Sequence, residues 1–82
     1  MNKIKILFFA TLRDRAGTRS MELEIPAGLT VQGLKDTIAR SQPNLAESLK
    51  SVLITINREY AFDEAVIPDG VEVAMFPPVS GG

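Results

Sequence analysis

Five short stretches of the chain carry the hydrophobic pattern of β-strands. They are residues 3–10, 21–25, 52–56, 60–62 and 71–76. The first, second and last alternate apolar and polar residues, as strands with one buried face do, and the third is rich in β-branched residues. Gly17 interrupts the polar residues between the first two strands, so we expect these strands to form a hairpin. The residues Asn57-Arg58-Glu59 predict a turn between the third and fourth strands.

One helix is predicted between the second and third strands. Its apolar positions have the amphipathic spacing i, i+3 and i+7 and are Val31, Leu34 and Ile38. Thr30 stands at the N-cap position, and the helix should end near Ser41, because Pro43 disfavours helical geometry in the residue before it. Residues 45–49 can form one further turn. The order strand, strand, helix, strand, short strand, strand predicts an α+β fold: a mixed sheet of four to five strands, covered on one face by one main helix.

The first and last strands carry apolar residues on both sides. Leu7 and Phe9 lie on the side of the first strand away from its regularly spaced core residues. Ala74 and Phe76 occupy the corresponding side of the last strand. The helix-containing crossover between these strands predicts that they pair in parallel, which would merge the two sets. Since a single helix covers only one sheet face, we predict an exposed apolar patch that binds a partner.

The composition excludes most side-chain chemistry. The 82 residues include no Cys and no His, so a catalytic thiol, a thiolate metal site and an imidazole base are ruled out. The formal net charge of −1 gives no electrostatic reason to expect nucleic acid as a partner. The apolar run at the start is too short to span a membrane and reaches Arg13 without a signal-peptide cleavage site. We expect a cytoplasmic protein that binds no metal or cofactor itself.

Charge is distributed unevenly along the chain. The first 20 residues contain five basic residues against Asp14, whereas from Glu59 onward there are five acidic residues and no Lys or Arg. Two interpretations are open. Strands that are distant in sequence can pair these charges on one surface, or the acidic residues can form a docking surface near the C-terminus.

The chain changes character after Phe76. The tail reads Pro77, Pro78, Val79, Ser80, Gly81 and Gly82. A Pro-Pro pair cannot continue a central strand and favours an extended conformation, so we predict a domain over residues 1–76 and a projecting tail over 77–82. A terminal carboxylate on Gly82 is ionised at neutral pH, and glycines without Cβ atoms let the backbone pass through a narrow channel. The chain end is therefore the candidate reactive group.

Two segments resemble the small, sulfur-carrying subunit of molybdopterin synthase. They are Lys5-Ile6-Leu7-Phe8-Phe9-Ala10 near the start and the stretch from Asp69-Gly70 to Phe76-Pro77-Pro78-Val79-Ser80-Gly81-Gly82 at the end. The resemblance covers essentially the whole chain and is most specific over residues 76–82. It implies the ubiquitin-like β-grasp fold and a sulfur-donor subunit with no side-chain active site of its own. It also implies that Gly82 is adenylated at its carboxylate and then converted to a thiocarboxylate.

The resemblance further implies that the catalytic machinery belongs to partner proteins. An adenylyltransferase of the ubiquitin-activating type would use ATP and Mg²⁺ to activate Gly82, and a sulfurtransferase would supply the sulfur. The tail would insert into the large catalytic subunit of molybdopterin synthase, in a heterotetramer. There the sulfur would pass to precursor Z, cyclic pyranopterin monophosphate. The absence of Cys agrees with this scheme, because the sulfur travels on the main-chain terminus.

Three alternatives stay open at the level of the sequence. A sulfur carrier for the thiazole of thiamine also ends in Gly-Gly on the same type of fold. A protein-conjugating ubiquitin-like modifier would use the same activated terminus to acylate a lysine. A β-grasp interaction module would carry an inert tail. The ending Phe-Pro-Pro-Val-Ser-Gly-Gly and the chain length favour the molybdopterin interpretation over the thiamine carrier. The sequence does not exclude a dual role as a modifier, and the interaction module stays open.

Overall fold

The structure, a computed structural model, describes residues 1–78. Its elements in chain order are β1 (Asn2–Phe8), α1 (Thr11–Ala16), β2 (Ser20–Ile25), α2 (Val31–Ser41), a 3₁₀ turn (Pro43–Leu45), α3 (Ala46–Leu49), β3 (Leu53–Ile56), β4 (Glu59–Tyr60) and β5 (Glu72–Phe76). The strands form one mixed sheet in the order β2-β1-β5-β3-β4. The predicted α+β architecture is confirmed, and residues 45–49 do form a further turn.

The first and last strands lie side by side in the sheet. β1 pairs in parallel with β5, from Lys5 opposite Glu72 to Phe8 opposite Met75. β2 pairs antiparallel with β1, and β3 pairs antiparallel with both β5 and β4. Both the predicted parallel pair and the predicted antiparallel pairing of the first two strands are therefore present.

The connection between β1 and β2 contains a helix that the sequence pattern did not predict. We expected a polar stretch here, and the structure has the six-residue helix α1. The helix buries only Leu12, so its sequence shows no repeating apolar spacing. It ends at Gly17, which has a φ of 75° and donates its N–H to the carbonyl of Arg13 at 3.0 Å. This left-handed residue is the common glycine end of a helix.

The core lies between α2 and one face of the sheet. The three predicted apolar positions of α2 are buried, and they pack with residues such as Ile6 and Met75, which are fully buried. Thr30 caps the helix as expected, because its Oγ1 accepts the N–H of Gly33 at 3.1 Å. The N–H of Val31 donates to the carbonyl of Ala65 at 2.9 Å. The start of α2 is thus attached both to its own cap and to the segment that leads into β5.

Candidate functional site

The face of the sheet opposite α2 carries the four residues predicted to form an apolar patch. Leu7 lies directly opposite Ala74 in the β1–β5 pairing, and residues paired in this way project on the same face. One row further along, the rings of Phe9 and Phe76 stack, with their centroids 4.6 Å apart and their planes 10° from parallel. This placement is the one that the alternation of the two strands predicts. We call Leu7, Phe9, Ala74 and Phe76 the open-face patch.

The open-face patch is accessible to solvent at its aromatic end. The side chain of Phe9 is 39% exposed, whereas Ile6 and Met75 on the opposite face are fully buried. Phe76 is half-buried and has its ring against Phe9. Ala74 is buried, but it is not part of the hydrophobic cluster that packs between the sheet and α2. The patch is therefore an apolar surface separate from the core.

A shallow depression of about 410 Å³ lies over the open-face patch. Four further residues line it, namely Thr55, Arg58, Tyr60 and Glu72. The pairing of the strands brings two of them there, because Thr55 lies opposite Ala74 of β5 and opposite Tyr60 of β4. Leu53, which is 39% exposed, lies opposite Phe76 and adds an apolar side chain to the same face of the sheet.

The sequence pattern did not predict that Leu53, Thr55 or Tyr60 belongs to this surface. Leu53 and Thr55 alternate with the buried residue Ile54, so their side of β3 is visible in the sequence. Which strand they pair with is not visible there, because the register between β3 and β5 joins residues about 20 positions apart. The exposed surface around the open-face patch therefore includes residues that were not predicted to belong to it.

A tight turn between β3 and β4 positions Arg58 at the rim of the depression. Asn57 and Arg58 have φ angles of 48° and 72°, which is the left-handed pair that a two-residue hairpin of type I′ requires. Asn57 donates its N–H to the carbonyl of Glu72 at 2.8 Å. Glu72 in return donates its N–H to Oδ1 of Asn57 at 2.9 Å. The predicted turn is thus present, and two hydrogen bonds attach it to β5.

The other half of the open face is charged. Lys3 lies opposite Glu24 in the pairing of β1 with β2. Lys5 lies between Glu22 of β2 and Glu72 of β5. Opposite charges that face each other across strands stabilise a sheet modestly. The face is therefore divided into a charged half, where lysines lie opposite glutamates, and an apolar half.

Acidic residues from the last quarter of the chain meet groups from distant segments. Oδ1 of Asp63 lies 2.7 Å from Nζ of Lys35, an ion pair between α2 and the segment after β4. Oδ1 of Asp69 accepts the backbone N–H of Lys3 at 2.7 Å. These contacts, together with the position of Lys5 opposite Glu72, favour the pairing interpretation of the charge asymmetry over a separate acidic docking surface.

The tail begins beside the open-face patch. Phe76 is the last residue of β5, and it is followed by Pro77, which is half-buried, and Pro78, which is exposed. The remaining predicted tail residues, Val79, Ser80, Gly81 and Gly82, lie outside the described residues. Six fully extended residues span about 20 Å, which sets the greatest distance that can separate Gly82 from Phe76.

Residues 1–78 contain neither a metal-binding cluster nor a membrane-spanning helix. This part of the chain has no group of three or more His, Cys, Asp or Glu side chains that could hold a metal ion. None of its helices is long and apolar enough to cross a membrane. The candidate site is accordingly the open-face patch together with the tail that follows it.

A mixed sheet of this strand order, packed on one main helix, defines a ubiquitin-like β-grasp fold. A ubiquitin from Caldiarchaeum subterraneum superimposes with a TM-score of 0.66 over 99% of this chain and 98% of that one, at 18% identity. Residues 6–82 match the model of the ThiS family, and the chain belongs to this family. The family expected from the tail and the first strand is thereby confirmed.

Curated relatives align with the chain over nearly its full length. The molybdopterin synthase sulfur carrier subunit of Arabidopsis thaliana is 36% identical over 80 residues, which cover 98% of this chain and 83% of that protein. The molybdopterin synthase sulfur carrier subunit of Escherichia coli (strain K12) is 36% identical over 83 residues, covering 96% of this chain and 99% of that protein.

Solved structures of similar proteins include both sulfur-pathway and modifier proteins. A putative molybdopterin converting factor subunit 1 from Pyrococcus furiosus has a TM-score of 0.86 and 30% identity, over 96% of this chain and 100% of that one. SAMP1 of Haloferax volcanii, a small archaeal modifier protein, has a TM-score of 0.84 and 27% identity over 99% and 100%. A complex of subunits 1 and 2 of the molybdopterin-converting factor from Helicobacter pylori contains the same fold. The TM-score is 0.69 and the identity 20%, over 98% of this chain and 99% of that one.

Proposed function

We propose that this protein carries sulfur for the synthesis of molybdopterin. The observation that supports the proposal most strongly is the 36% identity to molybdopterin synthase sulfur carrier subunits of a plant and a bacterium, over nearly the whole chain. The position of the open-face patch supports it further, because a partner that covers this patch meets the start of the tail at Pro77. In this proposal the domain docks, and the chemistry takes place at Gly82.

Activation of the chain end comes first in the proposed sequence of steps. A carboxylate resists nucleophilic attack, because it is negatively charged and has a poor leaving group. An adenylyltransferase therefore joins the carboxylate of Gly82 to AMP and releases pyrophosphate from ATP. Mg²⁺ and the groups that neutralise the phosphates belong to that enzyme. A hydrosulfide equivalent supplied by a sulfurtransferase then displaces AMP. Its sulfur forms a C–S bond to the carbonyl carbon of Gly82 as the C–O bond to AMP breaks, which leaves the thiocarboxylate.

Sulfur delivery takes place in the complex with the large catalytic subunit of molybdopterin synthase, within a heterotetramer. The tail, residues 77–82, inserts into that subunit, and the thiocarboxylate of Gly82 gives its sulfur to cyclic pyranopterin monophosphate. The large subunit provides the groups that act on the anionic pterin. Pro77 and Pro78 lower the cost of ordering the tail on insertion, because they hold it extended before it binds.

The same surface serves both partners in this proposal. The open-face patch lies at the base of the tail, and in this proposal each protein that draws the tail into its active site also docks on the patch. The activating enzyme and the large subunit therefore compete for one surface, with Phe9 and Phe76 as anchors. Addition of the large subunit should accordingly displace the activating enzyme from the carrier.

Mass spectrometry of the protein purified from its own cells tests the proposal. A carrier shows a population in which one oxygen of the C-terminal carboxylate is replaced by sulfur. This population should disappear when the activating enzyme is deleted, and molybdenum-dependent enzymes in those cells should lose activity. A protein that never carries sulfur under these conditions contradicts the proposal.

A second candidate function is that of a protein modifier. The similarity to SAMP1 of Haloferax volcanii favours it, because a modifier uses the same type of activated chain end. A ladder of conjugates that disappears on deletion of Gly82 would identify this role, alone or beside sulfur transfer. A carrier for thiamine thiazole would instead make cells that lack the protein require thiamine. An inert interaction module would show neither sulfur nor conjugates.

A further inference from the structure

Arg58 occupies a backbone conformation that its residue type disfavours. Its φ of 72° lies in the left-handed region, where the Cβ atom of any residue except glycine comes too close to the following carbonyl oxygen. The second position of a type I′ turn is therefore usually a glycine. Asn57, at the first position, has a residue type that tolerates this region. Strained residues of this kind concentrate at functional sites.

The side chain of Arg58 lines the depression over the open-face patch. Within the described part of the chain, no carboxylate lies within 4.0 Å of its guanidinium. The ion pairs shorter than 4.0 Å in residues 1–78 are Lys35–Asp63 and Lys50–Glu47, and neither involves Arg58. Glu72 lines the same depression, but it lies opposite Lys5 in the sheet.

A protein that covers the open-face patch removes water from the depression. A guanidinium that loses its water without gaining a counter-charge destabilises the complex. A facing carboxylate removes this penalty, and two parallel N–H···O bonds fit the planar guanidinium. The turn keeps Arg58 in a fixed position, because the two hydrogen bonds between Asn57 and Glu72 attach it to the strand that continues into the tail.

We propose that Arg58 determines partner specificity by forming a bidentate ion pair with a carboxylate side chain on the docking surface of the large synthase subunit. This inference rests on the proposed function, since it assumes that this subunit covers the open-face patch. The anion belongs to the protein surface and not to a nucleotide or pterin. In the proposed function those molecules react at Gly82, six residues beyond Phe76 in the sequence, whereas Arg58 lines the depression over the open-face patch.

Substitutions at Arg58 separate its role in binding from its role in folding. Arg58→Gly removes both the charge and the backbone strain, Arg58→Gln removes the charge alone, and Arg58→Lys keeps the charge without the planar fork. Arg40→Gln is the matched control, because Arg40 is an exposed arginine in the last turn of α2, the helix on the other face of the sheet. Each variant is titrated calorimetrically with the large synthase subunit of the same organism, at low and at high salt.

We expect Arg58→Gly and Arg58→Gln to weaken binding by about tenfold or more at low salt. The difference from the unsubstituted protein should shrink at high salt, because an ion pair is screened. Arg58→Lys should lie between these extremes, and Arg40→Gln should bind normally. The melting temperature of Arg58→Gly should be equal to or above that of the unsubstituted protein, because glycine relieves the strain.

Normal binding of Arg58→Gly would overturn the inference, and so would a loss of affinity that does not depend on salt. Phe76→Ala separates this failure from a failure of the proposed function. If Phe76→Ala weakens binding and Arg58→Gly does not, only the role of Arg58 is wrong. If the unsubstituted protein does not bind the large subunit at all, the proposed function fails as well.

Discussion

Phe76→Ala is the substitution that tests the docking role of the open face most directly. Phe76 is half-buried and its ring stacks on Phe9 at 4.6 Å, on the opposite side of the sheet from the core. A stacked aromatic pair contributes about 0.5–1.5 kcal/mol beyond its buried area. Loss of the pair and of some buried area should therefore cost about 1–2 kcal/mol of folding free energy, less than the ~3–5 kcal/mol of a core Phe→Ala change. In a domain of this size the melting temperature should fall by about 5–15 °C.

The expected effect on binding is larger than this loss of stability suggests. Aromatic anchors at the centre of an interface typically contribute about 2 kcal/mol or more, so the affinity for each partner should fall at least about tenfold. Isothermal titration calorimetry against the large subunit and the activating enzyme measures the affinities, and differential scanning calorimetry measures the stability. The affinities are measured below the melting temperature of the variant, so that the protein titrated is folded.

Phe8→Ala is the matched control for this experiment. Phe8 is the neighbouring aromatic residue on the core side of β1 and is 2% exposed. Its substitution should lower the melting temperature further than Phe76→Ala, while the folded fraction keeps its affinity for both partners. The docking role is refuted if Phe76→Ala binds both partners normally and melts as low as Phe8→Ala.

Three further predictions concern the tail and the start of α2. Deletion of Gly82 should abolish adenylation and thiocarboxylation, as measured by mass spectrometry, and full thiocarboxylation of the truncated chain would contradict the assignment. The melting temperature should change little, because a chain end contributes little buried area. Gly81→Ala should slow the reaction without abolishing it. Thr30→Ala should lower the free energy of unfolding by about 1 kcal/mol in urea titrations, since it removes the oxygen that accepts the N–H of Gly33 at 3.1 Å, whereas Thr30→Ser should keep the cap. A helical Gly→Ala change normally raises the free energy of unfolding by about 1 kcal/mol. Gly33→Ala should raise it by less, because the added Cβ lies 2.5 Å from Cδ1 of Leu29, which has to move. An increase of the full size would show that Leu29 adapts freely.

The alternation of apolar residues predicted which side chains form the open-face patch, but it did not predict all of the elements around them. Leu7, Phe9, Ala74 and Phe76 could be assigned to one face because side chains alternate strictly along a strand, and the crossover rule indicated that their strands lie together. These two facts were enough to predict that Phe9 and Phe76 lie side by side on the open face, and the structure shows their rings stacked.

The parts that were missed depend on long-range register or on very short elements. The fourth strand was expected at residues 60–62, whereas the structure has it at Glu59–Tyr60, so the expected bounds were wrong. The place of Tyr60 beside the patch follows from the pairing of Thr55 with both Ala74 and Tyr60, which depends on the register of β3 against β5. Helix α1 was missed because its one buried residue, Leu12, defines no spacing. Arg58 was recognised as part of a turn, but its direction toward the depression depends on the β3–β4 hairpin.

The position of β5 in the sheet has a consequence for biosynthesis. β5 is the last strand to leave the ribosome, yet it lies between β1 and β3 in the middle of the sheet. A nascent chain therefore cannot close its core until Val73 and Met75, both fully buried, have been translated and have emerged. A ribosome that stops before this point releases a polypeptide that lacks both a stable domain and the tail. Such a polypeptide offers a partner neither the open-face patch, which needs Ala74 and Phe76 of β5, nor a chain end at Gly82.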